Sequence, residues 1–283
     1  MTEIRTIAVL GAGTMGHGVA HAAAASGFQT RLYDVSDTSL TKARTQIDGI
    51  LRKAVELGKL QTTDADAAMA RLSTSSNIAQ VLGDADLVIE TVPERIDIKV
   101  KLFSDIQQYA PASAIVGSNT SALSITEMAS TLTDPSRVAG MHFFNPVHKM
   151  KLIEIVRALE SSERALETIE AVSKRMGKET VLVREAPGFI TSRVNASIGN
   201  EAFYMLMEGV ASARDIDKAL KLGLNHPMGP FELVDLVGLD TRLSILEYLH
   251  RSMGEKYRPC PLLAQYVKAG RLGKKVGKGV YEY

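Results

Sequence analysis

Cysteine is almost absent from the chain. Cys260 is the only one, so no disulfide can close within it and a reducing compartment is expected. Charge of one sign is also missing: 33 Lys and Arg stand against 32 Asp and Glu, a net charge of +1. That balance gives no general pull toward nucleic acid or an anionic membrane. No uninterrupted apolar run reaches membrane-spanning length, and the N-terminus enters a strand pattern at once, without a basic and then apolar leader. The expectation is a soluble, cytoplasmic protein. His17, His21, His148, His226 and His250 are scattered, so no His/Cys cluster has zinc spacing and no metal is expected. Internal repeats and low-complexity segments are lacking as well. A globular chain of 283 residues remains, a length that suits two domains.

The stretch from Ile4 to Asp34 organises what is present. IRTIAVL is a continuous apolar run of strand length, which suits a strand buried on both faces of a parallel sheet. Gly11, Gly13 and Gly16 follow at G-x-G-x-x-G spacing, within Gly11-Ala12-Gly13-Thr14-Met15-Gly16. Gly11 suits the tight turn, Gly13 the approach of backbone to a pyrophosphate, and Gly16 the close seating of a helix on the strand. A helix is expected over Thr14 to Ala25, with Gly27 as its stop. A second strand ends at Asp34, the right distance downstream for a carboxylate that accepts from a ribose 2′-hydroxyl. Strand, glycines, helix, strand and terminal acid occur in order. The pattern predicts binding of NAD, with no Arg after Asp34 placed to receive a 2′-phosphate.

Further along, helical patterns run from Asp37 to about Gly58 and from Asp64 to Arg71, an antiparallel pair inserted between strands. Arg44, Arg52, Lys53 and Lys59 lie along the first. They form either a solvated face or a cationic patch for a phosphorylated handle. Strands are expected at Ala85–Glu90, Ala114–Gly117 and Arg137–Met141, and a helix from Pro93-Glu94 to about Tyr109. Such alternation implies an α/β domain with a doubly wound, mostly parallel sheet, its ligands outside the carboxyl ends of the strands. Two of those ends carry Ser118-Asn119-Thr120-Ser121 and His142-Phe143-Phe144-Asn145.

Lys151 to Val156 alternates again, with Glu154 among Leu152, Ile153, Ile155 and Val156. A carboxylate in an apolar strand is costly without a partner. His142, 12 residues earlier, lies on a segment that could run beside it. On the residues alone, two readings stay open: an acid–base pair, or a capping His and an exposed edge Glu. From Pro187 the strand patterns stop. Helices are expected near 189–208, 214–222, 229–237, 240–253 and 261–269, which divides the chain into 1–186 and an all-helical 187–283. The apolar content of the second part exceeds what so small a unit needs and predicts a dimer interface.

Several ordered motifs covering nearly the whole chain carry a resemblance. They are Gly11 to Gly16, Glu90 to Glu94, Ser118 to Ser121, Met141 to Pro146, Met150-Lys-Leu-Ile-Glu154, Pro187-Gly-Phe-Ile190, His226-Pro-Met-Gly-Pro230 and the tail around Gly273 to Gly277. Together they resemble the NAD-dependent (S)-3-hydroxyacyl-CoA dehydrogenases, most of all the short-chain members acting on 3-hydroxybutyryl-CoA. The resemblance implies His142 as catalytic base and Glu154 as its partner. It puts Ser121 and Asn145 on the substrate and beside the cofactor, and Glu94 and Lys99 near the cofactor. The glycine loop, including Ala12 and Met15, joins Asp34 as the cofactor's seat. Coenzyme A would meet the inserted helical pair, with Lys53 and Lys59 as candidates.

The chain departs from the family at Ser192, which stands where an Asn is usual, and at Val280, in place of an aromatic. The segment from Pro187 joins the two domains, so a polar side chain at 192 is expected in the cleft on the substrate. Oxidising a secondary alcohol needs a hydride acceptor and a base. NAD supplies the first, and an imidazole, ordinarily of pKa about 6.5, suits the second. The alternatives are a dehydrogenase of the same architecture acting on a polyol acid such as gulonate, and a non-catalytic NAD-binding protein.

Overall fold

A computed structural model describes residues 3–283, which divide into two compact units, one ending at Glu185 and the other spanning Ala186–Tyr283. In the first, strands and helices alternate in the order β1 (Thr6–Leu10), α1 (Gly16–Ala25), β2 (Gln29–Tyr33), α2 (Asp37–Glu56), α3 (Thr62–Arg71), β3 (Leu72–Ser75), α4 (Ile78–Leu82) and β4 (Leu87–Glu90). Then follow α5 (Ile96–Tyr109), β5 (Ile115–Ser118), α6 (Ile125–Ala129), β6 (Val138–Phe143), β7 (Leu152–Arg157), α7 (Glu163–Arg175) and β8 (Glu179–Arg184). They form one eight-stranded sheet of order β3-β2-β1-β4-β5-β6-β7-β8. Neighbours are parallel throughout except β6 and β7, which run antiparallel. Between β1 and β4 the strand order reverses, and this is the switch point where doubly wound sheets bind ligands.

The central strands explain themselves. β4, β5 and β6 are buried at every residue, their apolar side chains interrupted only by glycine and, toward the carboxyl ends, by Glu90, Ser118 and His142. Helix α1 is almost all Ala, Gly and Val, so its backbone sits low on the sheet, while α2 starts where Ser36 accepts from the Ser39 N–H at 3.2 Å.

The structure departs from the sequence pattern in several places, among them the short helices α4 and α6. Helix α1 begins at Gly16 rather than Thr14, leaving Gly13 to Met15 in the turn. β6 continues past Met141 to Phe143, which puts His142 inside a strand. β3 was not expected, because Leu-Ser-Thr-Ser offers four residues and one buried apolar side chain. Nor were α7 and β8. The α7 signal was present: Ser162 caps Ala165, and Ala165, Leu166, Ile169 and Val172 repeat at helical spacing.

The second unit is a bundle of α8 (Thr191–Met207), α9 (Ala213–Gly223), α10 (Pro230–Val237), α11 (Leu239–Met253) and α12 (Pro261–Lys268). Its core joins Phe203, Phe231, Leu246, Leu249 and Leu263, with the Phe203 and Phe231 rings edge to face at 5.2 Å. Buried Asp235 accepts from Val280 N–H at 2.8 Å, Tyr281 N–H at 2.9 Å and Tyr283 O–H at 3.0 Å, which fastens the C-terminal tail. Val280 packs half-buried against the core, so the missing aromatic leaves the tail's docking intact. Among the described residues no helix is long and apolar enough to cross a membrane, and no group of three or more His, Cys, Asp or Glu could hold a metal ion.

Candidate active site

The carboxyl end of β1 runs into the glycine loop. Gly11 has φ +105°, and a Cβ on it would stand 3.0 Å from the Thr91 carbonyl oxygen, so both its dihedral and its packing require glycine. Gly16 is more constrained, since a Cβ there would fall 1.7 Å from the Gly11 oxygen and 2.8 Å from Thr91 Oγ1. Gly13 differs from both. A Cβ added to it meets nothing within 4 Å, so the space over this turn is open to a ligand. The turn lies at the N-terminus of α1, where unpaired amides and the helix dipole favour a phosphate.

Asp34, just past β2, is fixed by two backbone donors. Its Oδ2 accepts from Ala12 N–H at 2.8 Å and its Oδ1 from Ser36 N–H at 3.0 Å. Each carboxylate oxygen keeps a lone pair for a hydroxyl donor. Open space over Gly13, a helix N-terminus and a half-buried carboxylate at the end of β2 together fit a dinucleotide. Thr91 went unnoticed in the sequence. Its hydroxyl bonds the Leu10 and Gly11 carbonyls at 2.9 and 3.0 Å and so locks the β1 and β4 ends together.

Beyond β4, Glu94 gathers the loop after β5. One of its oxygens accepts from Thr120 Oγ1 at 2.6 Å, Ser121 N–H at 2.7 Å and Ala122 N–H at 3.2 Å. The other meets Lys99 Nζ at 3.3 Å. Lys99, implied to lie near the cofactor, is 1% exposed and its ammonium faces Glu90 at 2.6 Å, beneath the surface on which a ligand would rest. Asn119, part of the strand-end motif, has a role that the sequence does not assign. Its side-chain oxygen accepts from Phe143 N–H at 2.8 Å and ties the β5 loop to the end of β6.

His142 and Glu154 are directly opposed in the antiparallel β6–β7 register. Side chains of opposed residues share one face, so the 12-residue spacing becomes contact. The His142 Nδ1 stands 2.7 Å from Glu154 Oε2, with the His 4% exposed and the Glu fully buried. A buried carboxylate requires such a partner. β7 is flanked by β6 and β8, so Glu154 is no edge residue and His142 is no cap. The Phe144 ring packs on the imidazole at 4.5 Å between centroids. Asn145 follows on the exposed turn, just before a cis peptide bond to Pro146. Lys178 braces this turn through the Val147 and Met150 carbonyls at 2.5 and 2.8 Å, and burial lowers its pKa from the usual lysine value.

The first unit therefore collects the glycine loop, Asp34, Glu94, Ser121, His142 and Asn145 at or near the carboxyl ends of its parallel strands, and antiparallel β7 adds Glu154 from near its amino end. Lys53 and Lys59 lie apart from them, exposed at the end of α2 and in the turn after it, with Lys53 on Glu56 at 2.9 Å. Ser192 is half-buried in the first turn of α8, in the second unit.

Comparison with known proteins agrees with this geometry. Residues 6–186 match the model of the NAD-binding domain of 3-hydroxyacyl-CoA dehydrogenase, and residues 188–283 that of its C-terminal domain. The chain is 45% identical to a probable 3-hydroxybutyryl-CoA dehydrogenase of Bacillus subtilis, over 99% of this chain and 98% of that one. It is 42% identical to the 3-hydroxybutyryl-CoA dehydrogenase of Bradyrhizobium diazoefficiens, over 99% and 96%. The crystal structure of (S)-3-hydroxybutyryl-CoA dehydrogenase from Ralstonia eutropha superposes with a TM-score of 0.95 at 41% identity, covering 99% of both chains. The chain belongs to the 3-hydroxyacyl-CoA dehydrogenase family and is an NAD-dependent dehydrogenase.

Proposed function

We propose that the enzyme interconverts a short-chain (S)-3-hydroxyacyl-CoA and its 3-ketoacyl-CoA, with acetoacetyl-CoA as the test substrate and His142 as general acid and base. The observation that carries this is the buried 2.7 Å contact between His142 and Glu154. NAD, when bound, supplies the hydride acceptor. With Nδ1–H donated to Glu154, the tautomer leaves Nε2 as the basic nitrogen, and it takes the hydroxyl proton as the C3–H bond breaks. Buried negative charge on Glu154 stabilises the imidazolium that results. In the reverse direction the same nitrogen returns the proton to the carbonyl oxygen. Ser121 and Asn145 orient the oxygen and the thioester, and Lys53 and Lys59 are the candidates for coenzyme A. Oxidation of NADH with acetoacetyl-CoA tests the assignment. Turnover with gulonate and none with acetoacetyl-CoA would sink it.

The chain acts as a homodimer through its C-terminal unit. In support, Leu222, Leu224 and Leu236 are each more than half exposed there.

Two expected results concern specificity. Asp34 puts a carboxylate at the end of β2, where a 2′-phosphate would sit. Like-charge placement costs a few kcal/mol, so kcat/KM should favour NADH over NADPH by at least roughly 30-fold. Parity between the two would overturn this role for Asp34. The second concerns Ser192, which keeps a donor and an acceptor but is shorter than the family's Asn. One neutral hydrogen bond is worth about 0.5–1.5 kcal/mol. Ser192→Asn should therefore raise kcat/KM for acetoacetyl-CoA several-fold and leave the NADH Kd unchanged. Lost activity in that variant would mean that the native substrate is shaped to Ser.

A further inference from the structure

The last residue of β4, Glu90, is fully buried at the switch point. Its Oε1 accepts from Lys99 Nζ at 2.6 Å and Val92 N–H at 2.7 Å, and its Oε2 from Ser118 Oγ at 2.6 Å. The Lys99 ammonium has three donors and three acceptors: Glu90, the Val92 carbonyl at 3.3 Å and Glu94 at 3.3 Å. Glu94 in turn spends its other oxygen on Thr120, Ser121 and Ala122. A chain of charged contacts thus runs from the bottom of the site to the loop that carries Ser121.

Stability alone does not account for it. Apolar residues of similar volume in place of a buried ion pair are often neutral or stabilising, because desolvation offsets the attraction. Burial does push the Glu90 carboxyl above the usual range, with Lys99 and Ser118 opposing it. A fixed ammonium does, however, hold the two Glu94 oxygens apart in task. One is anchored below, and the other faces the loop amides.

We propose that Glu90 is a positioning residue: through Lys99 and Glu94 it sets the Thr120–Ala122 backbone, and so places Ser121 against the substrate. The part that concerns the reaction rests on the function proposed above, whereas the relay itself does not. The Ser121 amide reports on it directly, so hydrogen exchange in the ligand-free chain is the primary measurement. In Glu90→Gln the Lys99 charge is left with Glu94 alone and draws its carboxylate from the loop. Exchange at Ser121 and Ala122 should speed by roughly tenfold or more, Tm should fall, and kcat with acetoacetyl-CoA should drop at least roughly tenfold, as misplacement near a reacting centre does. Glu90→Gln with Lys99→Met removes both buried charges. That double variant should regain Tm while its Ser121 amide still exchanges fast, because Glu94 has lost its anchor. Exchange recovering together with Tm, or unchanged kcat in Glu90→Gln, overturns the proposal. Fast exchange in the variants of a wild-type chain inactive on acetoacetyl-CoA would instead retain the relay and reject the substrate.

Discussion

His142→Ala is expected to lower kcat with acetoacetyl-CoA by roughly 10²–10⁴-fold, the range for a positioned general acid or base. Alanine removes the imidazole that faces the buried Glu154 carboxylate, so Tm should fall as well, and kcat is read at a temperature where the variant is folded and binds NADH. The companion variant separates geometry from charge. Glu154→Gln keeps the length of the side chain and an oxygen that can accept the Nδ1–H, so the tautomer is retained. What it removes is the buried negative charge that stabilises the imidazolium. Its kcat should fall by less than that of His142→Ala, with NADH affinity intact, since the variant leaves the β1 and β2 loops, the proposed seat of the dinucleotide, unchanged. His142→Ala combined with Glu154→Gln should be no worse than His142→Ala alone, because residues that act as a unit are not additive. Near-wild-type turnover in His142→Ala would return the pair to a purely structural role. Two independent, multiplying losses would show that Glu154 acts elsewhere.

The His142–Glu154 pair also shows how much the sequence could disclose. Both types and their spacing were visible, and so was the cost of a carboxylate in an apolar strand. The antiparallel turn-back was not visible. It depends on β7 pairing with β6 in an otherwise parallel sheet, with the 142↔154 register set by the intervening turn. The first dinucleotide-binding elements were legible because every step there is local: a strand, three glycines at fixed offsets, a helix and a terminal acid. Glu90 and Thr91 were not, because their roles come from partners brought by other strands, such as Ser118 at 2.6 Å and the Leu10 carbonyl at 2.9 Å. β3 and β8 were missed for a related reason. They lie at the two edges of the sheet, where burial is one-sided and the apolar signal fades, as the exposed Leu182 of β8 illustrates.

Gly13→Ala and Gly16→Ala should fail in opposite ways, although only three residues apart in one loop. At Gly16 the added methyl would stand 1.7 Å from the Gly11 carbonyl oxygen, which itself accepts from the Thr91 hydroxyl. Neither is the soft end of a flexible side chain, so α1 must lift from β1. Overpacking of this kind costs about 1–3 kcal/mol and occasionally more. At about 2–4 °C per kcal/mol for a unit of this size, Tm should fall by roughly 6–12 °C if the cost reaches ~3 kcal/mol. NADH binding would weaken as a consequence. At Gly13 the methyl enters open space, and this glycine is not among those with positive φ. The ligand-free protein should then keep its Tm, or gain slightly as the unfolded chain loses freedom. NADH affinity should nonetheless drop by at least roughly tenfold, about 1.4 kcal/mol, because the space the methyl fills is the one a pyrophosphate needs. Thermal melts and NADH fluorescence titrations on the two variants distinguish the roles. A Gly13→Ala protein that binds NADH as tightly as wild type would show that the open space over the turn is solvent and that the phosphates lie elsewhere.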